Sequence, residues 1–188
     1  FAIAEELANR GAEVTLIAGP VNLKLINNTI DRIDVISAQQ MYEKAMEFFP
    51  KTDIAILAAA VADYAPVEQS STKIKKKDDT ITITLKKNPD IAKKLGEIKT
   101  ERQLLIGFAL ETDNETENAK EKLKKKNFDF IVLNSLQQKG AGFGYDTNKI
   151  TIIDKMENCQ EFELKNKSEV AIDRSEEHTS ELQSRITI

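Results

Sequence analysis

The sequence predicts an α/β layered fold with a mostly parallel sheet and a lysine-rich β-hairpin flap. Three observations carry this reading. DIAILAAA (53–60), QLLIGFALE (103–111) and FDFIVLN (128–134) are continuous apolar runs. They lack the polar alternation of a half-exposed strand, so they read as strands buried on both faces. Helical patterns fall between them, the order expected of a parallel sheet. Residues 64–88 have a different character: KIKKK, a DD turn, then TITITL in strict alternation, the pattern of an exposed hairpin or flap.

Along the chain, Ile3, Ala4, Leu7 and Ala8 recur at helical spacing, and Gly11 supplies a C-cap. EVTLIAG (13–19) is a strand ending in a Gly-Pro turn, and RIDVIS (32–37) is a second, short one. Ser37 caps a helix over about 39–49, with Met41, Ala45 and Phe48 on one side. NPDIAKKLGEIK (88–99) has Pro near its start and reads as a helix. NETENAKEKLKKKN (114–127) is a helix with a solvated basic face. The loop QQKGAGFGYDTN follows, then KITIID (149–154) and CQEFEL (159–164) pair as a hairpin, and KSEVAID (167–173) begins a helix. There is no internal repeat and no separate second domain; 64–88 is an excursion from one domain.

With 188 residues, 40% of them hydrophobic, the chain supports a single core. A formal net charge of −4 argues against nucleic acid as a partner. Cys159 is the only cysteine, which rules out a disulfide within the chain and argues against a cysteine metal site. No apolar run reaches the length of a membrane span, so no membrane partner is expected, and the expected location is cytoplasmic. The tail RSEEHTSELQS (174–184) reverse-translates, with suitable codons, into a common sequencing-adapter read. Residues 174–188 are therefore set apart as a translated adapter, outside the fold. The only histidine, His178, goes with them, and with it any histidine mechanism.

Candidate chemistry sits at the carboxyl ends of the parallel strands, where ligands bind in open α/β sheets. Ala58, Ala59 and Ala60 are small enough for a planar ligand to approach the backbone. Asp63 follows them; it can accept bonds from ribose hydroxyls, hold a hydrated divalent cation, or simply start a turn. Gly107, Phe108 and Ala109, and then Leu133, Asn134 and Ser135, mark two further strand ends. Lys73, Lys75, Lys76 and Lys77 lie on the flap, and Lys122 and Lys126 share a helix face at i and i+4. Two lysine sets flanking a pocket would suit a polyanion such as a nucleoside triphosphate, although a charge run is commonly just a solvated surface. Asp90 offers another acid at a helix start, where capping is the plain alternative. No P-loop occurs and no GxGxxG follows a first strand, which disfavours a dinucleotide-linked reductase.

Taken together, AAVADY, KIKK ten residues past Asp63, KNPDI, GFALET and KLKKKNFDFIVLN resemble the phosphopantothenate–cysteine ligase domain, and EVTLIAGPVNL near the start is similar too. In bacteria that domain is often the C-terminal half of a bifunctional coenzyme A biosynthesis protein. The resemblance covers about residues 1–173. It implies a Rossmann-like fold, a homodimer and a reaction using CTP and Mg²⁺, in which 4′-phosphopantothenate forms an acyl-cytidylate that cysteine then captures as the amide. It implies that Ala59 and Ala60 line the pocket through their backbone. Asp63 and Asp90 would serve the ribose or the metal, and Phe108 and Ala109 would read cytosine. Lys122 and Lys126 would hold the triphosphate, and Lys73 would be the flap lysine that meets the intermediate, across the dimer.

The resemblance also implies that this chain begins after the family's first strand, glycine-rich turn and intermediate-binding segment. It would then lack a central strand and be inactive as it stands. Ser135 stands where the family usually has Asp. The flavin-dependent decarboxylase half lies outside the chain, as fusion or associate, so FMN is not expected. The alternative reading is a non-catalytic nucleotide-binding module or partner-binding subunit of the same fold.

Overall fold

A computed structural model describes residues 1–68, 72, 80–111, 113–135, 147–166 and 185–188. Helix α1 (Ala2–Asn9) buries Ala4 and Leu7. Gly11, at φ +90°, gives the left-handed turn by which the Gly11 and Ala12 N–H groups reach the carbonyls of Ala8 and Leu7. The chain then forms β1 (Glu13–Ala18) and β2 (Asp31–Asp34). Helix α2 (Ala38–Phe48) starts where the Ser37 hydroxyl accepts the Gln40 N–H at 3.2 Å.

Strand β3 (Ile54–Leu57) is shorter than the apolar run that announces it. Ala58, Ala59 and Ala60 are exposed loop. Methyl side chains bury too little surface to hold the run in the sheet once Leu57 has paired with Gly107. The excursion forms a two-stranded antiparallel ribbon, β4 (Tyr64–Pro66) with β5 (Leu85–Lys87), separate from the main sheet. The KIKKK lysines, the loop at 136–146 and the helix expected at 167–173 lie outside the described residues.

Helix α3 (Ile91–Ile98), strand β6 (Leu104–Glu111), helix α4 (Glu115–Lys125) and strand β7 (Phe130–Ser135) follow in strand–helix–strand order. The expected hairpin is β8 (Thr147–Asp154) and β9 (Cys159–Asn166), added antiparallel to β7. The last strand is β10 (Arg185–Thr187).

The main sheet runs β2-β1-β10-β3-β6-β7-β8-β9, parallel from β2 to β7. Helix α1 packs on one face; α2, α3 and α4 pack on the other. The position between β1 and β3, where the sequence left a strand wanting, is filled by β10. Its residues come from the segment set apart as adapter-derived. Ile186 is 2% exposed there, and Thr187 shares a 2.7 Å hydroxyl hydrogen bond with Thr52. Two apolar neighbours with unpaired edges favour any short β-branched segment that can reach them. From β1 the chain turns outward to β2, and from β3 it proceeds the other way to β6 and β7. The order therefore reverses at β10, which is the switch point of the sheet.

Candidate functional site

A cavity of about 470 Å³ opens at that switch point, beyond the carboxyl ends of β3 and β10. Its inner wall is apolar, with Ile17, Leu57 and Ile188 from the sheet and Met41 from α2. Its mouth is polar, with Asp63, Tyr64, Lys87, Asn88, Asp90 and Lys126. An apolar cleft with a few convergent polar groups is the usual form of a small-molecule site.

Local structure explains why these residues meet. Asn88 ties the loop after β3 to the start of α3. Its N–H donates to the Asp63 carbonyl at 2.8 Å, and its Nδ2 donates to the Ala62 carbonyl at 2.8 Å. Asp90 is the N-cap of α3; its Oδ1 accepts the Lys93 N–H at 3.0 Å, and its Oδ2 pairs with Lys126 at the C-cap of α4. Burial pushes the Asp90 carboxyl up, but the hydrogen bonds from Lys126 and the Lys93 N–H, with the Lys126 charge, outweigh it and hold the group below the ordinary carboxylate value.

Of the residues singled out from sequence, Ala59, Asp63, Asp90 and Lys126 line this one cavity. Ala60 is exposed just beyond Ala59 in the same loop. Lys73 lies outside the described residues. Ala109 is buried on the face covered by α2, α3 and α4, whereas Phe108 is half-buried on the opposite face, in the crevice beneath α1 with Ile3 and Leu7. Lys122 stands one turn back along α4 and pairs with Glu111 at 2.9 Å. Asn134 Oδ1, at the third strand end, is buried without a hydrogen-bond partner among the described residues.

Sequence reasoning missed Glu111 as the holder of Lys122, and Tyr64 and Lys87 as parts of the mouth. The pairing of β4 with β5 aligns Tyr64 with Lys87, a register that no local pattern announces. Among the described residues no three acidic, histidine or cysteine side chains gather as a metal cage. A hydrated Mg²⁺ needs only one or two carboxylates beside substrate phosphates; Asp63 and Asp90 are the carboxylates on the cavity lining that would hold one, Asp90 being shared here between the Lys93 N–H and Lys126.

The described helices include none long and apolar enough to cross a membrane. The chain is 55% identical over 173 residues to a protein of an unknown prokaryotic organism named cysteine/cysteine sulfinic acid decarboxylase, covering 92% of this chain and 48% of that protein. It is 47% identical over 173 residues to the coenzyme A biosynthesis bifunctional protein CoaBC of Haemophilus influenzae, covering 92% of this chain and 42% of that one. The chain thus spans about half the length of the curated relatives it matches. The crystal structure of the C-terminal domain of a CoaBC protein superposes with a TM-score of 0.76 at 36% identity, covering 94% of this chain and 78% of that one. The resemblance drawn from the motifs, to the C-terminal half of that bifunctional protein, is borne out. Residues 1–178 match the DNA/pantothenate metabolism flavoprotein C-terminal domain, and the chain belongs to that family.

Proposed function

We propose that the chain is the ligase domain that joins 4′-phosphopantothenate to cysteine in coenzyme A biosynthesis, at the expense of CTP. The observation that carries the reading is the convergence of Ala59, Asp63, Asp90 and Lys126, four residues from three separate motifs, on one cavity at the switch point of the sheet. Homology over 92% of the chain to CoaBC proteins supports it.

The chemistry needs positioning and charge neutralisation more than a side-chain nucleophile. A carboxylate oxygen of 4′-phosphopantothenate attacks the α-phosphorus of CTP. The bond to the β-phosphate breaks, and pyrophosphate leaves with the electron pair. The amine of cysteine then attacks the acyl carbon; CMP departs and the amine proton passes to solvent. In this reading the loop at Ala59 and Ala60 lets the nucleoside lie close to the backbone, and Phe108 and Ala109 read cytosine through main-chain groups. Lys126 and Lys122 exchange their carboxylate partners for phosphate oxygens. Lys73 meets the acyl-cytidylate from the flap. Asp63 and Asp90 take the ribose or Mg²⁺, which when bound supplies charge neutralisation for the phosphates.

A homodimer belongs to the same proposal. The flap leaves Tyr64, Ile81, Ile83 and Leu85 all more than half exposed, and a lone two-stranded ribbon is marginal without a partner surface. The location is cytoplasmic, with a flavin-dependent decarboxylase as fused or associated partner.

The test is pyrophosphate release by the protein as encoded at its locus, with each substrate omitted in turn. The proposal expects release that needs CTP, 4′-phosphopantothenate and Mg²⁺, and amide formation that needs cysteine. The second reading, a non-catalytic nucleotide-binding module, draws on the Lys126–Asp90 and Lys122–Glu111 pairs, which already satisfy both lysines. It expects CTP binding with no release.

A further inference from the structure

Lys126 projects from a point where α4 has already ended, and three contacts from α3 hold that point. Gly96 lies against the Lys126 carbonyl so closely that a Cβ there would overlap the carbonyl oxygen. Asn127, in the left-handed region at φ 53°, donates from Nδ2 to the Gly96 carbonyl at 2.8 Å. Lys99 Nζ, its side chain 5% exposed, donates to the Asn127 carbonyl at 3.0 Å. At its other end α3 presents Asp90, which pairs with the Lys126 ammonium. Both ends of one helix therefore fix one lysine, through its backbone and through its charge.

Neither Gly96 nor Asn127 lines the cavity, so neither is placed to touch a ligand there. Their contacts set the backbone from which Lys126 departs, and a flexible four-carbon side chain delivers its charge only where that backbone aims it. The left-handed conformation is tolerated by Asn and costs a residue with an ordinary Cβ more. The side-chain amide adds what a glycine at the same φ could not, a bond across to α3.

We propose that Asn127, seated against Gly96, is a positioning residue that aims Lys126 at the phosphates of a nucleoside triphosphate. The proposal rests on the reading of Lys126 as a phosphate holder. It names two residues that set affinity for the triphosphate without contacting it.

A double-mutant cycle on the full chain tests it, with CTP and Mg²⁺ as the titrated ligand. Asn127→Gly keeps the left-handed backbone and deletes the amide. It should weaken CTP binding about three- to tenfold, the span that one hydrogen bond is worth. In a Lys126→Met background the same change should alter binding by less than about twofold, because the aimed group is gone. Gly96→Ala, a second and independent disturbance, should show the same dependence on Lys126. A merely structural role would instead weaken binding equally in both backgrounds, and that result overturns the proposal. An Asn127→Gly chain that binds CTP as before overturns it as well. If Lys126→Met alone leaves CTP affinity unchanged, the phosphate role of Lys126 itself fails. A loss in Lys126→Met with no coupling to Asn127 removes the positioning role only.

Discussion

Asp90 and Lys126, 36 residues apart, form an ion pair that joins the N-cap of α3 to the C-cap of α4 at the mouth of the cavity. Asp90 is also the cap of its helix, so the pair links the start of one helix to the end of the next. A polyanion entering the cavity competes with Asp90 for this lysine.

That competition has a measurable consequence. Asp90→Asn keeps a capping side chain but releases Lys126, so CTP in the absence of divalent cation should bind more tightly than to the parent chain, by about two- to fivefold. Titration calorimetry with a chelator present checks this. Weaker binding would mean that Asp90 helps the nucleotide directly even without metal.

The same pair shapes stability against pH. The folded Asp90 carboxyl lies below its unfolded value, so its contribution is full above the ordinary carboxylate range, about pH 4, and is lost as pH falls through the folded value. Asp90 is 38% exposed, and screening keeps the pair within about 1 kcal/mol. The difference in urea midpoint between the parent and Asp90→Asn should be constant from neutral pH down to about 5 and should shrink below about 4.

At the amino-terminal ends of β6 and β7, Lys99 and Asp129 form a largely buried pair at 2.6 Å, and Asp129 also accepts the Leu105 N–H at 2.8 Å. Lys99→Met leaves that carboxylate with the more distant Lys155, at 3.5 Å. The expected loss is about 3 kcal/mol of unfolding free energy, the lower end for a broken buried pair, read by urea denaturation. A loss under about 1 kcal/mol would show that Lys155 or water replaces Lys99 fully.

Gly107 in β6 faces the ring of Phe128, and a Cβ added there would overlap ring carbons. Gly107→Ala should cost about 1–3 kcal/mol through overpacking, and Phe128→Leu in the same chain should restore part of it. Two additive losses would place the cause elsewhere.

Much of this architecture was legible in the residues. The runs that became β6 and β7 were long, apolar and unalternating, and Ser37 and Asp90 sit at the caps their side chains favour. The hairpin of β8 and β9 was read from two short strand-like runs, KITIID and CQEFEL, and the turn between them is held by the Asp154 carboxylate, which accepts the Met156 and Asn158 N–H groups. The length of β3 was not legible. Its alanines satisfy a pattern of apolar residues without supplying the buried area that keeps a strand seated. The partners of the lysines were hidden for another reason. Glu111 is eleven residues from Lys122 and Asp90 is 36 from Lys126, so each pair depends on how α4 lies on β6 and α3 rather than on local spacing.

The tail was the least legible part. Its reverse-translation into an adapter read set residues 174–188 aside, yet β10 pairs Glu13, Val14 and Thr15 on one side and Ile54 and Ala55 on the other. Ile186→Asp puts a carboxylate in the centre of the sheet and should lower stability by several kcal/mol, on the order of 3. Unchanged stability would mean that the sheet does not depend on β10, as an adapter origin for the segment would suggest. Resequencing the locus addresses that origin separately.

The most direct test of the central claim is a crystal structure of the chain with CTP and Mg²⁺. The account predicts cytidine beyond the end of β3, against the loop at Ala59 and Ala60, with a phosphate oxygen within hydrogen-bond reach of Lys126 and the Asp90 pair opened. Nucleotide bound elsewhere, with the Asp90–Lys126 pair intact and the cavity at the switch point empty, would contradict it.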